Sequence, residues 1–243
     1  MDHFGESTYG DRISGIYDEL YPDYDKACIE TLYELAQGGP ALELGIGTGR
    51  IALPLKHRGI EVHGIYASEA MLEKLRAKPG GEEVPVRRGD FGQVALDGQF
   101  ALIYVVFNTF YALLTQEAQI ACFENVARRL RPQGVFVLEV FVPDMSRFND
   151  HQTFRTTSLD ENRIQLEASQ HDLLNQQVTS QHIVIAGEEI RFYPVKLRYV
   201  WPSELDLMAR LAGMALRHRW GDWDRSDFTA ESGKHISVYA LIK

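Results

Sequence analysis

The chain has 243 residues, 45% of them hydrophobic and 24% charged, which suits one α/β domain with an added element. Its net charge of −9 lacks the basic surface of DNA- and RNA-binding proteins, so we expect no nucleic-acid partner. There is no apolar run of roughly 18 residues, and residues 1–11 are polar and acidic, so neither a membrane span nor a signal peptide is predicted. Cys28 and Cys122 form no paired motif, which favours a cytoplasmic location.

The first part of the chain predicts helices and then a strand–helix alternation. Helical spacing within residues 11–37 is interrupted by Pro22. Apolar strands then alternate with amphipathic helices, which begin near Arg50, at the Ser68 cap and at Gln116. The strands are predicted over 41–44, 60–65, 84–88, 100–106 and 134–142. This order is typical of a parallel sheet with helices on both faces.

The pattern changes after Pro143. Residues 153–200 alternate apolar and polar side chains, which predicts antiparallel strands. A last helix, capped by Ser203, and strands over 215–220 and 236–242 follow. The sequence therefore predicts an antiparallel insert between the fifth strand and the last helix of a doubly wound sheet.

The segment after the first predicted strand carries the strongest signal for a ligand. Gly45, Gly47 and Gly49 lie between a strand and a helix, so the backbone can turn sharply and approach a ligand there. Glu43 lies in the apolar strand, where a carboxylate needs a partner such as a cationic ligand group. The spacing matches neither the dinucleotide pattern G-x-G-x-x-G nor a phosphate loop ending in Gly-Lys-Ser/Thr. A tight turn without a ligand stays open at this point.

Four stretches in order resemble class I S-adenosylmethionine-dependent methyltransferases. The first, from Glu43 to Gly49, is similar to the family's acidic-x-G-x-G-x-G motif. VHGIYASEAML at 62–72 looks like its G-x-D-x-S-x-x-M-L stretch, RGDF at 88–91 like its adenine-side acidic motif, and VFNT at 106–109 like the end of its fourth strand. The resemblance covers residues 41–142 well. It implies a Rossmann-like, mostly parallel seven-stranded sheet and S-adenosylmethionine as cofactor.

The resemblance also implies roles for individual residues. The glycine loop would hold the amino-acid end of the cofactor, Glu43 would serve its ammonium group, and Asp90 would accept from the adenine amino group. The residues expected at the cofactor are Glu43, Gly45, Ile46, Gly47, Gly49, Tyr66, Ala67, Met71, Asp90, Phe91, Phe107 and Asn108. No metal is expected, since the His, Asp and Glu residues show no ligand spacing.

Tyr66 departs from the family's pattern, which has an acidic residue for the ribose at this position. A carboxylate can accept from both ribose hydroxyls, whereas a phenol is larger and makes fewer such bonds. Tyr66 could bond one hydroxyl, weaken the cofactor, or fill the ribose pocket. Glu69, one helical turn further on, is a candidate substitute.

The acceptor side is implied by two weaker resemblances. Residues 17–24 resemble the helical lid of small-molecule methyltransferases, which makes Tyr17 and Tyr21 the catalytic candidates, with simple packing of the lid as the alternative. The later strands resemble, in architecture only, the insert of sugar N,N-dimethyltransferases, which caps the substrate and often helps dimerisation. His171 and His182 lie in this insert as possible general bases, although exposed polar positions are the simpler interpretation.

We therefore expect three parts: a helical lid (1–40), a cofactor-binding core (41–143 and 201–243) and an antiparallel insert (144–200). The expected activity is methyl transfer from S-adenosylmethionine to a nitrogen or oxygen of a small-molecule acceptor, by a cytoplasmic enzyme that could form a homodimer, with no membrane partner. A non-catalytic binding or regulatory module is the alternative that Tyr66 keeps open. An oxidoreductase is disfavoured by the glycine spacing.

Overall fold

The computed structural model describes residues 5, 7–93 and 98–242, and within them the chain forms two β-sheets with flanking helices. The strands are β1 (Ala41–Leu44), β2 (Val62–Tyr66), β3 (Val86–Arg88), β4 (Phe100–Val105), β5 (Leu130–Phe141), β6 (Gln152–Leu159), β7 (Arg163–Asp172), β8 (Gln177–Ala186), β9 (Glu189–Arg198), β10 (Met214–Trp220) and β11 (Lys234–Leu241). The helices are α1 (Thr8–Ile13), α2 (Tyr17–Leu20), α3 (Lys26–Ala36), α4 (Ala52–His57), α5 (Glu69–Arg76), α6 (Gln116–Arg129) and α7 (Pro202–Leu211), with 3₁₀ turns at Phe91–Gln93, Thr109–Ala112 and Met145–Arg147.

The larger sheet has seven strands in the order β10-β11-β5-β4-β1-β2-β3. β1 to β5 run parallel, and β11 pairs antiparallel with both β5 and β10. The chain moves outward from β1 through β2 to β3 and then returns to the other side of β1 with β4. This reversal leaves a crevice at the carboxyl ends of β1 and β4, where ligands bind in open α/β sheets.

The core lies on both faces of this sheet because its central strands are apolar throughout. Ile103 and Val105 of β4 pack on the face that α6 and α7 cover, whereas Leu102 and Tyr104 pack on the face of α3 and α4. These four side chains are fully buried. Strands that are buried on both faces appear in the sequence as continuous apolar runs. The predicted mostly parallel seven-stranded sheet is confirmed.

The smaller sheet is the predicted antiparallel insert, with the strand order β6-β7-β8-β9. Its strands are joined in register from Arg163 opposite Ala186 to Asp172 opposite Gln177 in the central pair. One face of this sheet, called the inner face below, lies toward the carboxyl edge of the large sheet, where α1 contacts β9. Ile13 of α1 is buried there together with Val184 and Tyr193 of the insert.

Two details of the predicted elements change in the structure. The N-terminal region forms three helices, because the chain turns at residues 14–16 between α1 and α2 in addition to the predicted interruption at Pro22. The last helix begins at Pro202, and its N-cap residue is Trp201 without a side-chain hydrogen bond, so the predicted Ser203 cap is wrong. Proline at the first helical position sets this boundary two residues earlier, at Trp201. Residues 1–4 and 6 of the predicted lid and 94–97 and 243 of the predicted core lie outside the described residues.

Candidate active site

The glycine loop connects β1 to α4 and closes tightly against neighbouring side chains. Gly45 has φ +84°, and a Cβ atom there would lie 2.4 Å from Cγ2 of Thr109. Gly49 has φ +78°, and its Cβ would lie 2.3 Å from Cδ1 of Leu75. Only glycine fits these two positions without displacement of the neighbours. The loop thus presents bare backbone to the crevice at β1.

Glu43 is the buried acid of β1, just before this loop. Its side chain is only 4% exposed, and the Tyr104 hydroxyl donates to its Oε2 at 2.9 Å. Burial raises the pKa of Glu43 to about 8, although Tyr104 and Arg50 act in the opposite direction. Glu43 is therefore mainly protonated at neutral pH, and a cationic ligand group beside it would favour the carboxylate.

A cavity of about 860 Å³ extends from the glycine loop to the inner face of the small sheet. Sites for small molecules commonly measure about 300–1,000 Å³, so this space suits a cofactor together with a small acceptor. The expected site residues on its wall are Tyr17, Tyr21, Glu43, Gly45, Ile46, Gly47, Tyr66, Ala67, Asp90, Phe91, Phe107 and Asn108. The structure thus brings together the ends of β1, β2 and β4 with the N-terminal helices.

Gly49 and Met71 do not line this cavity. Gly49 packs against Leu53 and Leu75 behind the loop. Met71 is 1% exposed, and its methyl group lies 3.6 Å from a Cβ built on Gly47. Both residues therefore shape the loop from beneath. Glu69, the candidate substitute for a ribose ligand, is also absent from the wall and pairs with Arg76.

Tyr66 ends β2 with its ring half-buried on the cavity wall. A Cβ atom on Gly10 of α1 would lie 3.1 Å from the Tyr66 hydroxyl, so the phenol reaches the lid. Burial raises the pKa of Tyr66, with Tyr17 and Asp11 adding to the shift, and the phenol is neutral at physiological pH. Asp11 accepts from the Ser68 hydroxyl at 2.6 Å, which ties α1 to the start of α5.

Asp90 and Phe91 follow β3 on the adenine side that the family resemblance implies. Asp90 lies on the cavity wall, where its Oδ1 accepts from the Gly92 N–H at 2.8 Å. Phe91 is 9% exposed and opens the 3₁₀ turn. One carboxylate oxygen of Asp90 is thus held by backbone, and the other has no such bond among the described residues.

The chain after β4 holds an exposed aromatic ring over the cavity. Phe107 and Asn108 have φ values of 61° and 62°, a left-handed conformation that is costly for residues with side chains. Three hydrogen bonds to β5 maintain it. The Phe107 N–H donates to Oε2 of Glu139 at 3.0 Å, the Asn108 N–H donates to the Glu139 carbonyl at 3.2 Å, and Oδ1 of Asn108 accepts from the Phe141 N–H at 2.7 Å. The Asn108 amide therefore supports the turn.

Arg50 and the lid tyrosines surround Phe107. The guanidinium carbon of Arg50 lies 4.2 Å from the Phe107 ring centroid, and the Tyr21 ring meets Phe107 edge-on at 5.0 Å. Tyr17 lies 5.1 Å from Tyr21, and burial raises its pKa, so its phenol stays protonated. The lid is fixed to the glycine loop by Asp18, which accepts from the Thr48 hydroxyl at 2.6 Å. Sequence reasoning did not select Arg50, although it directly follows the third glycine.

The insert supplies the other wall of the cavity. It contributes charged and polar side chains on its inner face, including Arg155, Glu167 and His182, and Arg147 joins them from the 3₁₀ turn. His182 is half-buried there, and burial lowers its pKa. His171 is 7% exposed and bonds the Tyr199 hydroxyl at 2.8 Å. The expectation that both histidines are exposed is therefore wrong, because the inner face of the sheet is covered.

The described residues contain neither a metal centre nor a membrane-spanning helix. No group of His, Cys, Asp and Glu side chains in this part of the chain could hold a metal ion. No helix there is long and apolar enough to cross a membrane.

This fold, with a glycine loop and buried acid at the carboxyl end of β1, defines an S-adenosylmethionine-dependent methyltransferase, and the comparisons agree. Residues 41–134 match the family model described as a methyltransferase domain. The structure of the CcbJ methyltransferase from Streptomyces caelestis is 40% identical, with 99% of this chain and 100% of that chain covered and a TM-score of 0.92. The chain belongs to the class I S-adenosylmethionine-dependent methyltransferases.

Two further relatives are similar to this chain, one in sequence and one in fold. The cypemycin N-terminal methyltransferase from a Streptomyces species is 28% identical over 202 residues, with 83% of this chain and 82% of that protein covered. An amino pentose methyltransferase of calicheamicin biosynthesis from Micromonospora echinaspora, solved with S-adenosylmethionine bound, is 21% identical. Its TM-score is 0.67 with 92% of this chain and 96% of that chain covered, and it shows the fold alone. The predicted fold, cofactor and enzyme class are confirmed.

Proposed function

We propose that this enzyme methylates a nitrogen of a small-molecule acceptor that lies between Phe107 and the inner face of the insert. The observation that carries the proposal is the continuous cavity, which has the glycine loop at one end and the β7–β8 wall at the other. A nitrogen is favoured over an oxygen because a relative matched over most of its length is named an N-terminal methyltransferase. The alternative of a non-catalytic module has no support among the relatives.

The residues present fit the cofactor. When bound, S-adenosylmethionine supplies a methyl group already activated on a sulfonium. Glu43 would pair with the ammonium group, and the backbone from Gly45 to Gly47 would hold the amino-acid end. Asp90 would accept from the adenine amino group, and Tyr66 would bond a ribose hydroxyl. Tyr17, Tyr21 and Phe107 would exclude water and align the acceptor, which is the protein's main contribution to such a transfer.

The proposal is tested by calorimetric titration with S-adenosylmethionine and S-adenosylhomocysteine, followed by a screen of small amines for a methyl-sized mass gain. We expect micromolar binding of both cofactor forms and N-methylated products. Absence of binding at millimolar concentration would overturn the assignment of the site. Binding with methylation confined to hydroxyl acceptors would overturn the choice of nitrogen.

His182 is our proposed general base for the acceptor ammonium. It lies on the cavity wall, and its pKa is lowered by burial, so the imidazole is neutral and can accept a proton at neutral pH. We expect His182→Asn to lower kcat by about 100-fold while leaving cofactor affinity unchanged. For the wild type, kcat should fall only at acidic pH, where His182 becomes charged. Steady-state kinetics against pH measures both effects, with His57→Asn as the control, and equal kcat values would remove His182 from the mechanism.

We also propose that the outer face of the small sheet forms a homodimer contact. Phe154 and Phe192 are 68% and 54% exposed on this face, opposite the cavity. Exposed apolar patches of this kind mark association sites. We expect a dimer in sedimentation velocity and a monomer for Phe192→Asp. Leu174→Asp, in the β7–β8 turn, should remain dimeric, and a monomeric wild type would contradict the proposal.

A further inference from the structure

The inner wall of the insert carries a salt-bridge cluster that has no part in the proposed methyl transfer. Glu167 of β7 is 7% exposed and lies between two arginines. Its Oε2 accepts from Nη2 and Nε of Arg155 at 2.7 and 3.3 Å, and its Oε1 accepts from Nη2 of Arg147 at 3.3 Å. The Ser169 hydroxyl donates to Oε1 at 3.0 Å. We call Arg147, Arg155 and Glu167 the arginine cluster.

Glu167 has no free capacity for a ligand. A carboxylate offers about four acceptor positions, and the four donors from Arg147, Arg155 and Ser169 occupy them. Burial alone would raise the pKa of Glu167, but the contacts with Arg155 and Ser169 lower it, so the carboxylate stays ionised. An incoming ammonium group would therefore find no open position on it. The carboxylate instead fixes the two guanidinium groups in place.

The arginines, in contrast, keep unused donors. Each guanidinium has five N–H groups, and the bonds to Glu167 use one of Arg147 and two of Arg155. Both residues line the cavity, and their side chains are 33% and 50% exposed. The cluster has one more positive than negative charge. A positive, partly desolvated pair of forked donors is complementary to an oxyanion.

The position of the arginine cluster in the cavity favours a role in binding the acceptor molecule. Arg147 belongs to the 3₁₀ turn that follows β5, and Arg155 and Glu167 project from the insert. The glycine loop at the other end of the cavity has its own cation, Arg50. We propose that Arg147 and Arg155 bind an anionic group, a carboxylate or a phosphate, on the acceptor molecule. The preferred substrates are then amines that carry a negative charge, and this refinement rests on the proposed function.

Anion binding can be measured without any methyl transfer. The protein loaded with S-adenosylhomocysteine is unfolded thermally in sodium malonate, sodium phosphate or sodium chloride at equal ionic strength. We expect malonate or phosphate to raise Tm above the chloride value in the wild type and in Arg191→Gln, a control outside the cavity. The gain should vanish in Arg147→Gln/Arg155→Gln. If the double variant does not fold in chloride, Arg147→Gln/Arg155→Gln/Glu167→Gln replaces it, because that variant leaves no unpaired buried carboxylate. Equal gains in all variants would overturn the proposal.

The second arm measures methyl transfer to matched acceptors. Radiolabelled methyl transfer is compared for alanine against alaninamide, and for glucosamine 6-phosphate against glucosamine. We expect kcat/KM to favour the anionic member about 10- to 100-fold, with the preference lost in the cluster variants. Whichever pair shows the preference identifies the anion as carboxylate or phosphate. Methyl transfer at equal kcat/KM to the anionic and neutral members of each pair would overturn the anion site but leave the proposed function standing. Anion binding without any methyl transfer would support the anion site and count against the proposed function.

Discussion

Replacing Glu43 by glutamine is expected to weaken S-adenosylmethionine binding by about 100-fold at pH 8. Glu43 is fully enclosed, and truncating one partner of a buried charge pair costs about 2–5 kcal/mol. The amide keeps the shape of the side chain and still accepts from the Tyr104 hydroxyl, so the lost affinity measures the contribution of the negative charge. Calorimetric titration measures the affinity. Glu69→Gln, which changes an exposed acid paired with Arg76, should bind as the wild type does.

The same carboxyl group makes binding depend on pH. With a pKa of about 8 in the free protein, Glu43 must lose its proton when the cofactor ammonium binds beside it. Affinity should therefore rise with pH up to about 8, by at most about tenfold per pH unit, and this part of the rise should be absent in Glu43→Gln. Proton release is detected by titration in buffers of different ionisation enthalpy. Identical pH profiles for the wild type and Glu43→Gln would contradict the assignment.

The stability of the cofactor-free protein should fall as the pH rises, whereas the cofactor affinity should rise. The folded-state pKa of Glu43 lies above its ordinary value of 4.5, so the folded state binds more protons than the unfolded state between the two. The free energy of unfolding therefore falls as the pH rises from 4.5 toward 8. We expect Glu43→Gln to lose this contribution, as seen by denaturant titration at several pH values.

The central sheet and the glycine loop were predictable because their signals are local. Residues 41–44 form an apolar run, and the alternating glycines after it have few other uses. Glu43 was selected for the same reason, since an acid inside such a strand requires a partner. Its pKa could not be read from the sequence, because it depends on Tyr104 and on the depth of burial.

The rest of the site depends on contacts between distant segments. The third glycine belongs to the motif, yet Gly49 faces Leu75 of α5 instead of the cavity. His171 was expected to be exposed because period-two alternation does not say which sheet face is covered. The arginine cluster joins residues from three elements, and nothing in their spacing predicts it. Sequence thus indicated the cofactor side well and the acceptor side only by analogy.

Replacing Tyr66 by aspartate, the family's usual kind of residue at this position, is expected to weaken cofactor binding by more than tenfold. In this chain the phenol packs between the lid and α5, so truncating it leaves a void in a half-buried cluster, at a cost of about 2 kcal/mol. The new carboxylate would also lie close to Asp11, whose charge already contributes to the raised pKa of Tyr66. Tyr66→Phe removes only the hydroxyl, so about a fivefold loss is expected if it bonds one ribose hydroxyl.

Titration with S-adenosylhomocysteine and thermal unfolding separate the two effects of Tyr66. Tyr66→Asp should lose both affinity and Tm, because it loosens the contact between α1 and β2, whereas Tyr66→Phe should lose affinity with Tm nearly unchanged. Tyr33→Phe, which removes a phenol hydroxyl outside the cavity, should change neither quantity. A steep gain of affinity in Tyr66→Asp would instead mean that the tyrosine impairs the site. The Tyr66 hydroxyl then has no binding role, and the ribose is held by other groups of the wall.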